Sequence, residues 1–315
     1  MSRLDLISST YFISSSGLET TLLFLEGIDL THFAAFHQWN NEKGRGCIYN
    51  FWVRHLALAK KFKVNFLLET PTWRANLDWA QKLEYSAADL TKYYSDITEQ
   101  LNQLRSEHET ESTKIILGAV LGPRGDGYFI SEKMTVEEAQ AYHSLEISAS
   151  ANAGADLVIS YTLTYPEEAI GIVKAAKAHN IPVVISFTVE TDGKLGCGLE
   201  ISQFVQAIDD GSEGGPLFYQ INCAHLSHFR KVFEDNKDEN WVRRFLGLLP
   251  NASRKSHEEL NNSTVLDDGD FEEFGRDIRE IKELFPHFRV FGGCCGTDLR
   301  HIESICNHCF ADRLN

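Results

Sequence analysis

Eight short apolar runs, each followed by a stretch of helical periodicity, recur along the chain and restrict its fold more than any other feature. The runs occupy 11–13, 64–71 (stopped by Pro71), 114–121, 156–160, 182–188, 217–222, 245–249 and 288–291. Helical segments are expected at 18–25, 48–63, 78–106, 135–153, 166–179, 201–209, 225–236 and 270–284. Within 78–106 the apolar positions Tyr94, Ile97, Leu101 and Leu104 share one helix face. Thr135-Val136-Glu137-Glu138 has the spacing of a capping box, and Pro166 suits a first helical turn. Strand and helix in strict alternation imply a parallel sheet. Eight such units in 315 residues predict an α/β chain folded as one domain, a closed (β/α)8 barrel. An open doubly wound sheet would advertise a glycine-rich phosphate loop after its first strand, and none is found.

Charge and cysteine usage narrow the function. A formal net charge of −15 argues against nucleic acid and against an anionic membrane surface as partners. No apolar stretch reaches the ~18 residues of a membrane span, and Met1–Leu6 lacks the basic and apolar regions of a secretory signal. The seven cysteines are odd in number and scattered, unlike a secreted disulfide framework. These features predict free thiols in a reducing cytoplasm.

In a (β/α)8 barrel the chemistry gathers where strands end. Those ends are Ser14–Gly17, Glu69-Thr70, Gly122-Pro123, Ser160-Tyr161, Thr188–Glu190, Asn222-Cys223, Asn251 and Cys294-Cys295. The last pair lies in Gly292-Gly293-Cys294-Cys295-Gly296-Thr297, a glycine turn leading into a helix. Adjacent cysteines are poorly disposed to bond each other, yet they can aim two sulfurs at one point. Cys223, at the end of the sixth strand, adds a third. Three thiolates around Zn2+ leave one tetrahedral position open, the mark of a catalytic site, and thiolates select soft or borderline metals. The competing reading makes each cysteine a small buried hydrophobe. Cys306-x-x-Cys309 with His308 is a rival metal motif, but it has no second pair at zinc spacing. Cys47 and Cys197 have no partner in the sequence.

The Gly-Gly-Cys-Cys-Gly-Thr turn, preceded by Asn222-Cys223, resembles the zinc signature of the homocysteine S-methyltransferase family. Gly17-Leu18-Glu19-Thr20, Glu69-Thr70 with Ala75-Asn76, Gly122-Pro123, Ser186-Phe187-Thr188 and Pro250-Asn251-Ala252 also resemble family positions, so the likeness spans essentially the whole chain. It implies Zn2+ held by Cys223, Cys294 and Cys295, which act in catalysis through the metal by lowering the pKa of an acceptor thiol. The partners implied are two small molecules, a thiol acceptor and a sulfonium or quaternary ammonium methyl donor. Gly17, Glu19, Glu69, Thr70, Tyr161, Asn222 and Asn251 are the expected substrate-binding residues. Glu69, Trp73, Tyr161 and Tyr165 are candidates for an acidic, aromatic mouth suited to a cationic donor.

Two departures from the family pattern bear on the acceptor. Where the family's first strand ends in Asp-Gly-Gly, this chain has Ser15-Ser16-Gly17. Where the fourth ends in Phe-Glu-Thr, it has Ser160-Tyr161-Thr162. Either another acid holds the acceptor's ammonium, with Glu19 and Glu69 the candidates, or the acceptor is a thiol other than homocysteine. Two further readings remain: a zinc-binding barrel that binds ligand or senses oxidation without methyl transfer, and a hydrolase using Glu69 and Glu190. The segment 251–269 is too long for a plain barrel loop and suggests a lid or subunit contact.

Overall fold

The computed structural model describes residues 3–314. Strands β1 (Phe12–Ile13), β2 (Asn65–Glu69), β3 (Ile115–Leu121), β4 (Leu157–Leu163), β5 (Val183–Phe187), β6 (Phe218–Asn222), β7 (Phe245–Leu249) and β8 (Val290–Phe291) pair in chain order into a closed barrel. All pairings are parallel, and β1 closes the ring by pairing Phe12 with Asn65 on one side and Val290 on the other. This is the (β/α)8 class expected from the sequence.

Side-chain alternation along the strands divides the core in two. One set, including Phe12, Leu67, Ile116, Ile159, Val184, Phe218 and Val290, packs into a cluster with Ile7. Ile7 belongs to the short helix Asp5–Ser9, which precedes β1. The other set, with Ile13, Phe66, Leu117, Ile185 and Phe291 among its members, packs beneath the helices. The strands are therefore buried on both faces, which is why they read as continuous apolar runs rather than alternating ones.

Three elements differ from expectation. The helical segment 78–106 is two helices, Leu77–Lys82 and Ala87–His108, parted at Glu84, which takes φ 63°. Ser86 opens the second helix: its Oγ accepts the Asp89 N–H at 3.2 Å, while Asp89 Oδ2 accepts the Ser86 N–H at 2.8 Å. Apolar periodicity carries straight through such a break, because the cap reads only in Ser86 and Asp89. The helix expected at 48–63 is longer, Glu42–Lys61, capped by Asn41. β4 continues beyond Ser160 to Leu163, with a shift of register against β5 and Thr162 at φ 62°. For a β-branched residue that conformation is strained.

Within 251–269 the chain forms one short helix, His257–Asn261, begun by a Ser256–Glu259 capping box. No helix among the described residues is long and apolar enough to cross a membrane.

Phe12 is fully buried where the ring closes. Its replacement by Ala is expected to cost about 3–5 kcal/mol, measured as a lowered denaturation midpoint. A loss below about 1 kcal/mol would mean that the interior layer is not close-packed at the seam.

Candidate functional site

The strand ends converge on a cavity open at its mouth. Gly17, Glu19, Glu69, Thr70, Tyr161, Asn222, Cys223, Cys294 and Cys295 all line it. Asn251 does not: it is buried behind Cys223, donating Nδ2–H to the Cys223 carbonyl at 3.0 Å. Of the expected aromatic mouth, Trp73 and Tyr161 line the cavity. Tyr165 instead accepts the Met134 N–H at 3.3 Å and stands apart from it.

The three sulfurs meet. Those of Cys223, Cys294 and Cys295 lie within 4.8 Å of one another. Cys223 and Cys294 are joined as a disulfide (S–S 2.13 Å), and Cys295 Sγ is 3.9 Å from Cys223 Sγ. The expectation of free thiols holds for Cys47, Cys197, Cys295, Cys306 and Cys309, and this pair corrects it for the other two. Sulfurs aimed at one point from two loops are within bonding reach of each other, which spacing in sequence does not reveal. Burial and the nearby Glu19 push the Cys295 thiol up to about 12. A bound cation would oppose both effects and favour the thiolate.

The cysteine turn is locked to the loop after β1. Gly17 donates its N–H to Thr297 Oγ1 at 3.1 Å, and Thr297 Oγ1 donates to the Cys294 carbonyl at 2.7 Å. A Cβ on Gly17 would stand 2.5 Å from that carbonyl oxygen, so only glycine fits. Behind the loop, His55 Nδ1–H donates to the Phe51 carbonyl at 2.7 Å, leaving Nε2 to accept from Ser16 Oγ at 3.0 Å. Burial lowers the His55 pKa to about 4, keeping the ring neutral and fit for that acceptor role.

Asn222 ties β4 to the metal-ligand candidates. Its Oδ1 accepts the Thr162 N–H at 3.0 Å and Ser186 Oγ–H at 2.6 Å, and its Nδ2 donates to Thr162 Oγ1 at 2.9 Å. The same Nδ2 lies 3.9 Å from Cys294 Sγ. Thr162 thus holds its positive φ by two hydrogen bonds to one side chain. The turn it makes leaves Tyr161 pointing at Glu69.

Glu69 accepts from Ser14 Oγ at 2.8 Å and Ser15 Oγ at 3.0 Å on one oxygen, and from Tyr161 OH on the other. Burial raises its pKa, partly countered by these donors. Glu19 is raised to about 7, mainly by burial and also by Glu69, with Arg74 opposing. Thr70 turns its hydroxyl to Thr72 Oγ1 and accepts the Val120 N–H at 2.8 Å, which steadies the β2–β3 edge of the cavity.

Several residues went unforeseen. Tyr128, in the loop after β3, lines the cavity and its hydroxyl lies against Cys295. Phe33, Phe51 and Trp52 reach the wall from the long β1–β2 connection. His257, from 251–269, places Nε2 2.6 Å from the Cys223 carbonyl and Nδ1 3.1 Å from Glu190, with its ring 4.4 Å from that of Tyr128. Only the Gly-rich run before Tyr128 and the excess length of 251–269 hinted at these. Glu190, held by His257, does not line the cavity, so the Glu69–Glu190 pair of the hydrolase reading is not assembled there. Cys306 and Cys309 are buried on the helix Leu299–Phe310 and packed into the outer core.

The Gly17→Ala variant is expected to displace the Cys294 carbonyl and lower the melting temperature by several degrees. An unchanged melting temperature would show that the turn does not pack closely against Gly17.

Comparison with known proteins supports the barrel fold. The metallated form of the homocysteine methyltransferase MmuM from Escherichia coli superposes with a TM-score of 0.74 at 17% identity, covering 97% of this chain and 98% of that one. Its oxidised form gives 0.70 at 18% identity, covering 95% and 98%. At such identities the likeness is one of fold. No curated protein matches the chain in a sequence comparison. The family model for homocysteine S-methyltransferase matches residues 65–309, most of the chain. The chain belongs to the homocysteine S-methyltransferase family, a family of thiol methyltransferases.

Proposed function

We propose that the chain is a zinc-dependent S-methyltransferase that moves a methyl group from a small sulfonium or ammonium donor of the S-methylmethionine kind to a thiol, homocysteine or a close relative. The observation that carries this reading is the convergence of three cysteine sulfurs within 4.8 Å in the wall of an aromatic, acid-bearing cavity.

The donor set suits zinc. Tetrahedral bonds of about 2.3 Å put neighbouring sulfurs about 3.8 Å apart, close to the 3.9 Å between Cys223 and Cys295. Cys223, Cys294 and Cys295 would hold the ion once the Cys223–Cys294 disulfide is reduced, because thiolates are the ligands. When bound, Zn2+ supplies a Lewis acid that favours the deprotonated form of an acceptor thiol.

The remaining work falls to side chains. Phe33, Phe51, Trp73 and Tyr128 present aromatic surface to the cavity, limiting hydration of an acceptor sulfur and offering ring faces to a cationic donor. Glu19, near Cys295, adds negative charge on the side where that donor would approach. In the transfer the acceptor sulfur forms a bond to the donor's methyl carbon while the donor's carbon–sulfur or carbon–nitrogen bond breaks. The donor keeps that electron pair and departs neutral, so cation-binding surface favours the donor over its product. The need for reduced thiols supports a reducing compartment, the cytoplasm, as the setting of this activity.

Protein prepared without reductant is expected to bind little zinc. Reduction and zinc loading should give one ion per chain by elemental analysis and methyl transfer from S-methylmethionine to homocysteine by mass spectrometry. The Cys294→Ala variant should lose both. Zinc-free protein that remains fully active, or an active Cys294→Ala variant, rejects the proposal.

A further inference from the structure

The cavity contains a buried carboxylate whose geometry has no role in holding a metal. Glu69 ends β2, is only 9% exposed, and directs its carboxylate to the cavity that also holds the three sulfurs. Its surroundings are one-sided: Ser14 and Ser15 donate to Oε2, and Tyr161 donates to Oε1. All three are neutral hydroxyls. Among the described residues no Lys, Arg or His forms an ion pair with Glu69.

That arrangement is costly unless something completes it. An ionised carboxylate offers about four acceptor positions, and three donors fill most of them. Neutral donors do not cancel its charge in a water-poor site, where an unpaired carboxylate loses much of its hydration. The protein nonetheless commits three side chains, two from the loop after β1 and one from β4, to aiming this one group. A carboxylate needed only for packing between strands would be served as well by an amide, which accepts hydrogen bonds without a charge to bury. The missing partner is a cationic donor entering through the cavity.

Resting on the proposed reading of the site, we infer that Glu69, held by Ser14, Ser15 and Tyr161, is the specificity-determining residue that binds the ammonium group of an aminothiol acceptor. The sulfur clamp and the ammonium clamp then share one cavity, so an acceptor is recognised at both ends: thiol toward Cys223, Cys294 and Cys295, nitrogen toward Glu69. Thiols lacking the amino group engage only the first clamp and leave the carboxylate unpaired.

Titration calorimetry tests this on reduced, zinc-loaded protein with two ligands, L-homocysteine and 4-mercaptobutanoate, its counterpart without the amino group. The wild type is expected to prefer homocysteine by about 10- to 100-fold, the range for a hydrogen bond to a charged group. In the Glu69→Gln variant, which keeps the shape and zinc content, homocysteine should weaken by about that factor while 4-mercaptobutanoate changes less than about threefold. Tyr161→Phe, which keeps the carboxylate and loses one donor, should show a smaller loss confined to homocysteine. Equal weakening of both thiols, no weakening of either, lack of preference in the wild type, or absence of any thiol binding overturns the inference. Methyl transfer is measured separately. A Glu69-dependent preference without turnover would retain this inference and reject the transferase reading, whereas turnover indifferent to Glu69 would do the reverse.

Discussion

The barrel closes between β8 and β1, and both chemical features of the cavity hang on that seam. The two strands are only two residues long, so the ladder is continued by loops: Ser14 N–H donates to the Phe291 carbonyl at 2.8 Å and Gly293 N–H to the Ser15 carbonyl at 3.0 Å. Beyond them Gly17 and Thr297 lock the cysteine turn. On one side of the seam stand Cys294 and Cys295; on the other, Ser14 and Ser15 present their hydroxyls to Glu69. A shift of one residue here would reverse inward and outward side chains. It would lose the sulfurs and the hydroxyl pair together.

Cys223 shows how the position of a sulfur is held before any ligand arrives. Its φ is 53°, a conformation that L residues other than Asn and Asp seldom adopt. Three contacts fix it there. Its N–H donates to the Leu249 carbonyl at 3.2 Å, and its carbonyl accepts from Asn251 Nδ2 and His257 Nε2. Two of these come from the end of β7 and the third from the excursion after it. The 251–269 segment, too long for a connecting loop, is in this respect a backbone clamp. Strain of this kind, of order 1–3 kcal/mol, persists only when neighbours over-determine the residue, and the reward is a ligand set with little freedom to lose.

The sequence discloses what depends on local pattern. Eight strands are legible because each is buried on both faces and reads as an apolar run ended by glycine, proline or a polar residue. Their ends in turn predict which residues share the rim, and that deduction needs no knowledge of distances. Contacts between distant segments do not read this way. Nothing local marks His257 as returning to Cys223 or Tyr128 as reaching Cys295. The turn at Thr162 is invisible for another reason: Thr is the last residue type one would assign a positive φ, and it is tolerated only because Asn222, sixty residues on, satisfies its N–H and hydroxyl. Asn251 is the opposite case. It ends its strand as expected, yet its side chain turns to the backbone behind the cavity.

The charges in the cavity bear on what it can accept. With Zn2+ bound, three thiolates would carry a net charge of −1; an ionised Glu69 would add another, and Glu19, raised to about 7 by burial, lies beside them. Arg74 offsets part of this, although its guanidinium is already occupied by the Gly125 carbonyl and by the rings of Trp73 and Trp79. A neutral or anionic pair of substrates would add nothing to balance the site. An acceptor bearing an ammonium and a donor bearing a sulfonium would bring one positive charge each to the two acids. On the proposed reading, transfer of the methyl group would remove the donor's charge but leave the acceptor's ammonium intact. Glu19 would lose its counter-charge at that moment and Glu69 would not, so the spent donor would be the product held less tightly. The unusual placement of acids on β2 and after β1 thus fits a division of labour, in which one carboxylate keeps the acceptor while the other responds to the chemistry.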